Sequence, residues 1–410
     1  MTKITGIEAM EIQDSRGMPT LRATVHAGDA IGIFDVPSGA STGSHEALEL
    51  RDGGTEDHGK GVKKALSSVN GEIAKALVGM DVSDQEAIDH AMLALDGTPQ
   101  KSRLGGNAIV GVSLATAKAG AASVGVPLYK YLRSLRSILP SRAVPLLFMS
   151  VLDGGKHGKN GPSFQEHHII PLTDDVAVAK EIGKKFIDEL DRYANERFGD
   201  GYRVGDEGGL VFPITDVAEP LEIIRTIVSK ADFAVPVRSG LDVAASSFYD
   251  QKEKIYRCRD IDRNTGEMLD LYSSLTKEYD LFSIEDPFQE EAFEDFAKLQ
   301  NKIDPVLLIG DDLTVTNVAR LKTAIDAHAI KAMIIKPNQI GSLTETLDTM
   351  EMARNSGIHC IVSHRGEDTM DDAIADIAYA FGALGLKCGV PRQKERIVKI
   401  DRLIHISNEK

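Results

Sequence analysis

Six short apolar runs in the last two thirds of the chain each end in a charged residue. This pattern constrains the fold more than any other feature. Asp242 closes VRSGLD, Glu285 closes LFSIE, Asp311 closes VLLIGD and Lys336 closes MIIK, while His364 and Arg365 close HCIVSHR and Lys387 ends the last run. From Glu285 onward the steps are 26, 25, 28 and 23 residues. A strand, a short helix and their turns take about 25–30 residues, so each step reads as one βα unit. The longer step from Asp242 to Glu285 holds an insertion, KEKIYRCRDIDRNTGEMLD, whose NTG reads as a hairpin turn. Repeated βα units over some 270 residues favour a (β/α)8 barrel, where strand C-termini converge on one site. A doubly wound open sheet is the alternative.

The first third differs. ITGIEAMEI, TLRATVHA and AIGIFDV read as strands, and residues 60–135 turn helical, as in VKKALSSVNGEIAKAL and NAIVGVSLATAKAGAASV. Strands followed by helices predict an α+β domain. The segment LRSLRSILPSRAVP makes a junction, giving an N-terminal domain over 1–138 and a barrel over 139–410. Ile377 to Leu386 reads as a buried helix beside the charged turn Asp371–Asp372.

A net charge of −15 argues against nucleic acid or an anionic membrane surface as partner. Cys258, Cys360 and Cys388 form no metal or disulfide spacing, and no leader or membrane span is visible, so a cytoplasmic location is expected.

Asp242, Glu285 and Asp311 would repel one another severely in a shared dry site unless a cation intervened. An all-oxygen donor set points to a hard cation, Mg²⁺ rather than zinc. Singly, each acid also reads as a helix cap. Lys336 follows an apolar run that should bury its stem, and a metal cluster beside it together with another cation such as Lys387 would disfavour its charged form, leaving an amine able to act as base. His364, Arg365 and Lys387 add positive charge for an anionic substrate. Together they suggest proton abstraction beside a carboxylate. Glu166 in FQEHHII and Glu207 in GDEGG are candidates for the acid that assists a leaving group, and His157 lies on a glycine-rich loop able to close over a substrate. SGASTG at 38–43 is not a Walker loop.

The chain resembles the enolase family through DSRGMPT, VPSGASTGSHEALELRDG, DGTPQKSRLGGNAIVGVSLA, GGKHG, FQE, VGDEGG, LDVAAS, SIEDP, GDDLTVTN, IIKPNQIGSL and VSHR. The resemblance implies an enolase-type barrel whose second strand runs antiparallel, capped by the smaller α+β domain. It further implies Mg²⁺-dependent, reversible dehydration of 2-phosphoglycerate to phosphoenolpyruvate by a homodimer or a higher homo-oligomer. Asp242, Glu285 and Asp311 match the family's first Mg²⁺ site, and Ser41 a second one bound with substrate. Lys336 matches the base, Glu207 the acid with Glu166 beside it, and Gln165, His157, Arg365 and Lys387 the substrate contacts.

The chain departs from the family at Met18, Asp153, His167–His168 and Leu210, where Asn, Asn, Phe-Met and Phe are usual, and over Gly366–Asp368, where Ser-Gly-Glu is usual. If Gly366 replaces the serine, a hydroxyl near the substrate phosphate is lost and Glu367 comes close to a dianion. If one residue is deleted instead, Gly366–Glu367 match the family's Gly-Glu and Met370 compensates. This departure admits a second reading, a paralogue acting on a related phospho- or phosphono-carboxylate. A scaffold that kept only the fold is the third.

Overall fold

A computed structural model describes residues 1–39, 43–205 and 207–409. The three N-terminal strands (Ile4–Gln13, Pro19–Ala27 and Ala30–Asp35) form an antiparallel meander in that order. One face is buried under the helix Gly106–Ser123, whose residues are almost all enclosed. The helix lies so close that a Cβ on Gly32 would fall 1.9 Å from the Ala115 carbonyl oxygen, which only glycine permits.

Eight strands then close into a barrel: Leu146–Asp153, Glu166–Pro171, Val237–Asp242, Ser283–Glu285, Leu307–Gly310, Ala332–Ile335, His359–Ser363 and Gly385–Lys387. Gly385 pairs with Leu146 across the closing seam, which excludes the open doubly wound sheet. The second strand is antiparallel to both neighbours, so its first residue, Glu166, lies opposite Asp153 and Asp242 at the strand-end mouth. Leu146, Phe148, Ile170, Ile309, Ala332, Ile334, Ile361 and Leu384 pack inside the barrel as an apolar floor.

Two local expectations are corrected. Asn264 of the NTG sequence caps the helix Thr265–Tyr279: its side chain accepts from Glu267 N–H while the Glu267 carboxylate accepts from Asn264 N–H. The reciprocal pair satisfies two otherwise orphaned donors and so outcompetes a hairpin turn. The hairpin of the insertion is instead Tyr249–Asp250 with Ile255–Tyr256. The run Ile377–Leu386 is divided between the end of the helix Ala373–Ala380 and the last barrel strand, with Gly382 at positive φ between them. Among the described residues no single helix is long and apolar enough to cross a membrane.

Candidate active site

The charged ends of the apolar runs gather at one mouth. Asp242, Glu285 and Lys387 are the last residues of their strands, and Asp311, Lys336 and His364 each follow theirs by one. His157, Gln165, Glu166, Glu207, Asp242, Asp311, Lys336, His364, Arg365 and Lys387 line a common cavity of about 30 Å³. Its charged groups pair with one another. The expectation for Ser41 falls at residues 40–42, outside the described residues.

Lys387 Nζ donates to Asp242 Oδ2 at 2.8 Å and to both Glu285 oxygens at 3.0 Å, and lies 3.4 Å from Glu166 Oε2. Burial opposes its charge, yet the three carboxylates hold its pKa well above the usual lysine value. Even so, burial and the neighbouring Asp242 keep the Glu285 carboxyl well above the ordinary range. This corner is short of positive charge, its donors are all oxygen, and the chemistry suits a hard cation. Asp311 instead faces Lys336, and the three carboxylates do not converge on one point in this state.

The chain's own groups leave Lys336 in its charged form. Burial, Arg365 and Lys387 do work against it, but Asp311 Oδ2 at 2.5 Å outweighs them, and the Lys336 pKa is raised. Close ion pairing in a low-dielectric site wins over desolvation.

Across the mouth, His157 Nδ1 lies 3.1 Å from Glu166 Oε1 and 3.7 Å from Glu207 Oε1, and His364 Nε2 lies 3.0 Å from Glu207 Oε2. Burial pulls the His157 pKa down, but Glu207, Glu166 and Asp153 raise it to about 9. Burial favours protonated carboxyls at Glu166 and Glu207. Neighbouring groups nonetheless hold both well below the usual range, Lys387 leading at Glu166 and His364 with His157 at Glu207, although burial lowers the pKa of His364 itself. Glu207 is therefore ionised here, not yet the proton donor the sequence suggested. Gln165 Nε2 points to Asp242 Oδ2 at 3.5 Å, and its buried Oε1 makes no hydrogen bond among the described residues.

Arg365 is buried, with its guanidinium on Glu46 of the N-terminal domain at 3.0 and 3.2 Å and on Asn338 Oδ1 at 2.9 Å. Arg396 fixes the segment behind it, donating to the carbonyls of Arg365 and Gly366 at 2.7 and 2.9 Å and to Asp368 Oδ2 at 3.1 Å. Glu367 pairs through its backbone with Ser38 and through its carboxylate with Lys60 at 2.7 Å. Gly366 lines the cavity and Glu367 does not.

Sequence reasoning missed several residues that shape this site. Gln339 donates to Asp311 Oδ1 at 2.8 Å, and Asp286 accepts the N–H groups of Asp311 and Asp312 at 3.0 and 2.6 Å. Both follow a strand-end residue closely (Lys336-Pro-Asn-Gln, Glu285-Asp), which was the available signal. Glu46 had none, because its partner is 319 residues away.

Fold and site together define a barrel enzyme built for acid–base chemistry in a highly charged cavity at the strand ends. Residues 4–132 match the family model "Enolase, N-terminal domain" and residues 141–410 "Enolase, C-terminal TIM barrel domain". Curated proteins named enolase are similar over the full length. The one from Methanopyrus kandleri is 42% identical, covering 100% of this chain and 96% of its own. That from Methanothrix thermoacetophila is 42% identical over 98% and 95%, and that from Corynebacterium kroppenstedtii 40% over 99% and 95%. The chain belongs to the enolase family.

Proposed function

We propose that this chain is a carbon–oxygen hydro-lyase that interconverts 2-phosphoglycerate and phosphoenolpyruvate in glycolysis. Full-length kinship with enolases, joined to two lysines and a ring of carboxylates at the strand ends, carries the reading. The division between residues 138 and 139 belongs to it, supported by the helix that ends at Leu135 and the strand that starts at Leu146.

Asp242, Glu285 and Asp311 would hold Mg²⁺, and Ser41 a second ion bound with substrate. The metal, when bound, supplies positive charge against the carboxylate of the substrate as negative charge builds there. Lys336 is the base at C2. Its amine becomes available once the Asp311 charge is engaged elsewhere, because Asp311 is the main group keeping it protonated. Glu207 donates the proton with which the C3 hydroxyl leaves as water. An arriving anion raises the pKa of a neighbouring carboxylate, and the protonated His157, 3.7 Å away, can refill it. Glu166 balances the charge of His157 and Lys387, while Gln165, Arg365 and Lys387 orient the substrate. A homodimer is part of this reading, carried by the resemblance alone.

The turn of Glu367 toward Lys60 favours the parent reaction over the paralogue, since its charge does not face the cavity. Purified chain with Mg²⁺ should form phosphoenolpyruvate from 2-phosphoglycerate, followed by ultraviolet absorbance, and Lys336→Ala should abolish this. Preferential turnover of a phosphonate analogue by the wild-type chain would overturn the assignment.

A further inference from the structure

His168 stands where the family commonly has methionine, and the structure gives it a partner. Glu166 and His168 are two residues apart on the second barrel strand, so both point into the barrel. His168 Nε2 lies 2.9 Å from Glu166 Oε2, directly beneath the mouth, and the imidazole is 1% exposed. Phe148 meets its ring edge-on. Register sets it opposite Ser150 on one neighbour and Gly240 on the other. Its Nδ1 is buried and makes no hydrogen bond among the described residues, as does the nearby Ser283 Oγ across Gly240. Adjacent His167 points the opposite way, out of the barrel, and cannot share this role.

We propose that His168 is a positioning residue of this chain: it donates Nε2–H to Glu166 Oε2 from the barrel floor and fixes that carboxylate for catalysis. A proton on Nε2 serves the carboxylate, whereas a second one on Nδ1 would leave a buried donor unsatisfied. With Oε2 anchored from below, Oε1 is presented to His157, and Glu166 cannot rotate toward Lys387 alone. A methionine in this place would fill the volume and offer Glu166 no donor. The proposal rests on the hydro-lyase reading for its kinetic part only.

The test compares His168→Met with His168→Gln, whose amide nitrogen reaches the place of Nε2. His168→Met should lower kcat by about 10-fold or more with KM little changed, the scale of effect seen for small misplacements of a catalytic group. The acid limb of its pH profile should move upward, because Glu166 loses a donor to its charged form. The groups facing Glu166 are His157, Lys387 and Glu207, with Asp242 and Asp153 opposite it, and none of them is changed. His168→Gln should recover most of the rate. Wild-type kcat and pH profile in His168→Met would overturn the proposal, and so would equal losses in both variants. Independently of turnover, ¹⁵N-histidine spectra of the full chain should show His168 as the Nε2–H form with a hydrogen-bonded proton that shifts in Glu166→Gln. If that signature is present but no 2-phosphoglycerate is turned over, the activity assignment fails and the pairing stands. Its absence sinks the pairing itself.

Discussion

Lys387 donates to Asp242 at 2.8 Å, and the same ammonium also serves both oxygens of Glu285. All three groups are at most 3% exposed, so this is a buried cluster in which one cation serves Asp242 and Glu285. Burial and Asp242 keep the pKa of the Glu285 carboxyl well above the ordinary range. Removing one partner of such a cluster leaves uncompensated charge, at a cost of about 3–5 kcal/mol. Lys387→Met should therefore lower unfolding stability by that amount in chelator. Saturating Mg²⁺ should restore part of it, because an ion bound only by the folded state stabilises by mass action. Urea melts with and without Mg²⁺ check this. Equal stability of variant and wild type in chelator would show that the cluster does not depend on the lysine.

Asp153 is fully buried, accepting Ser150 Oγ at 2.9 Å and enclosed by Gly205 and Gly209, where a Cβ would come within 2.3 and 2.5 Å of its oxygens. Burial raises its pKa from 3.8 to about 8, with Glu166 and Glu207 adding to the rise and His157 opposing it. The unfolded chain loses this proton near the ordinary value, while the folded chain keeps it to about 8. The folded state thus binds the extra proton in that window, and stability falls as pH rises through it. Asp153→Asn removes the dependence while keeping shape and acceptor. Its stability relative to wild type should improve between about pH 5 and 8, by up to about 1.4 kcal/mol per unit. A pH-independent difference between the two melts would refute this.

The positions of these groups were largely legible, and their states were not. Apolar runs of four to six residues ending in a charge announced strand ends, because a barrel strand buried on both sides can afford a charge only at its mouth. That logic placed Asp242, Glu285, Asp311, Lys336, His364 and Lys387 correctly in the chain. It could not say that Lys336 would meet Asp311 rather than be repelled by Lys387, since that depends on side-chain direction across strands. Arg365 was read as open to an anion, whereas its partner Glu46 comes from a different domain. The NTG sequence failed for a local reason: Asn-Thr-Gly-Glu satisfies the reciprocal helix cap and a turn equally well until the following helix is packed.

Arg396 is fully buried and serves two carbonyls, Asp368 and the His364 ring around Arg365, so its role is to hold that segment in place. Lysine keeps the charge but not the planar fork of donors. Arg396→Lys should lose about 1–3 kcal/mol of stability by leaving buried acceptors unpaired. KM for the phosphorylated substrate should rise several-fold with a smaller change in kcat, because Arg365 shifts within the cavity. Steady-state kinetics beside a thermal melt separate these effects. An unchanged KM in a destabilised variant would make Arg396 a purely structural residue.

Asp89 of the N-terminal domain caps a barrel helix. Its Oδ2 accepts the Thr344 N–H at 2.9 Å and the Thr344 hydroxyl at 2.6 Å, and Oδ1 accepts the Gln85 amide at 3.1 Å. Ser113 Oγ accepts the Leu343 N–H at 2.9 Å, so two first-turn donors of the helix Leu343–Asn355 are satisfied from the other domain. That helix follows Lys336 after only a short turn, which ties the base to the domain junction. Burial raises the Asp89 pKa against the effect of these hydrogen bonds, so the charge itself adds little and the acceptor geometry matters more. Asp89→Asn, which keeps one acceptor oxygen for Thr344, should stay within about 1 kcal/mol of wild type at neutral pH. Asp89→Ala strands the Thr344 N–H and hydroxyl, while the Gln85 amide keeps Ser113, and should cost about 2–4 kcal/mol. Urea denaturation of the three proteins distinguishes them, and an alanine variant as stable as the asparagine variant would show that the junction does not rely on this cap.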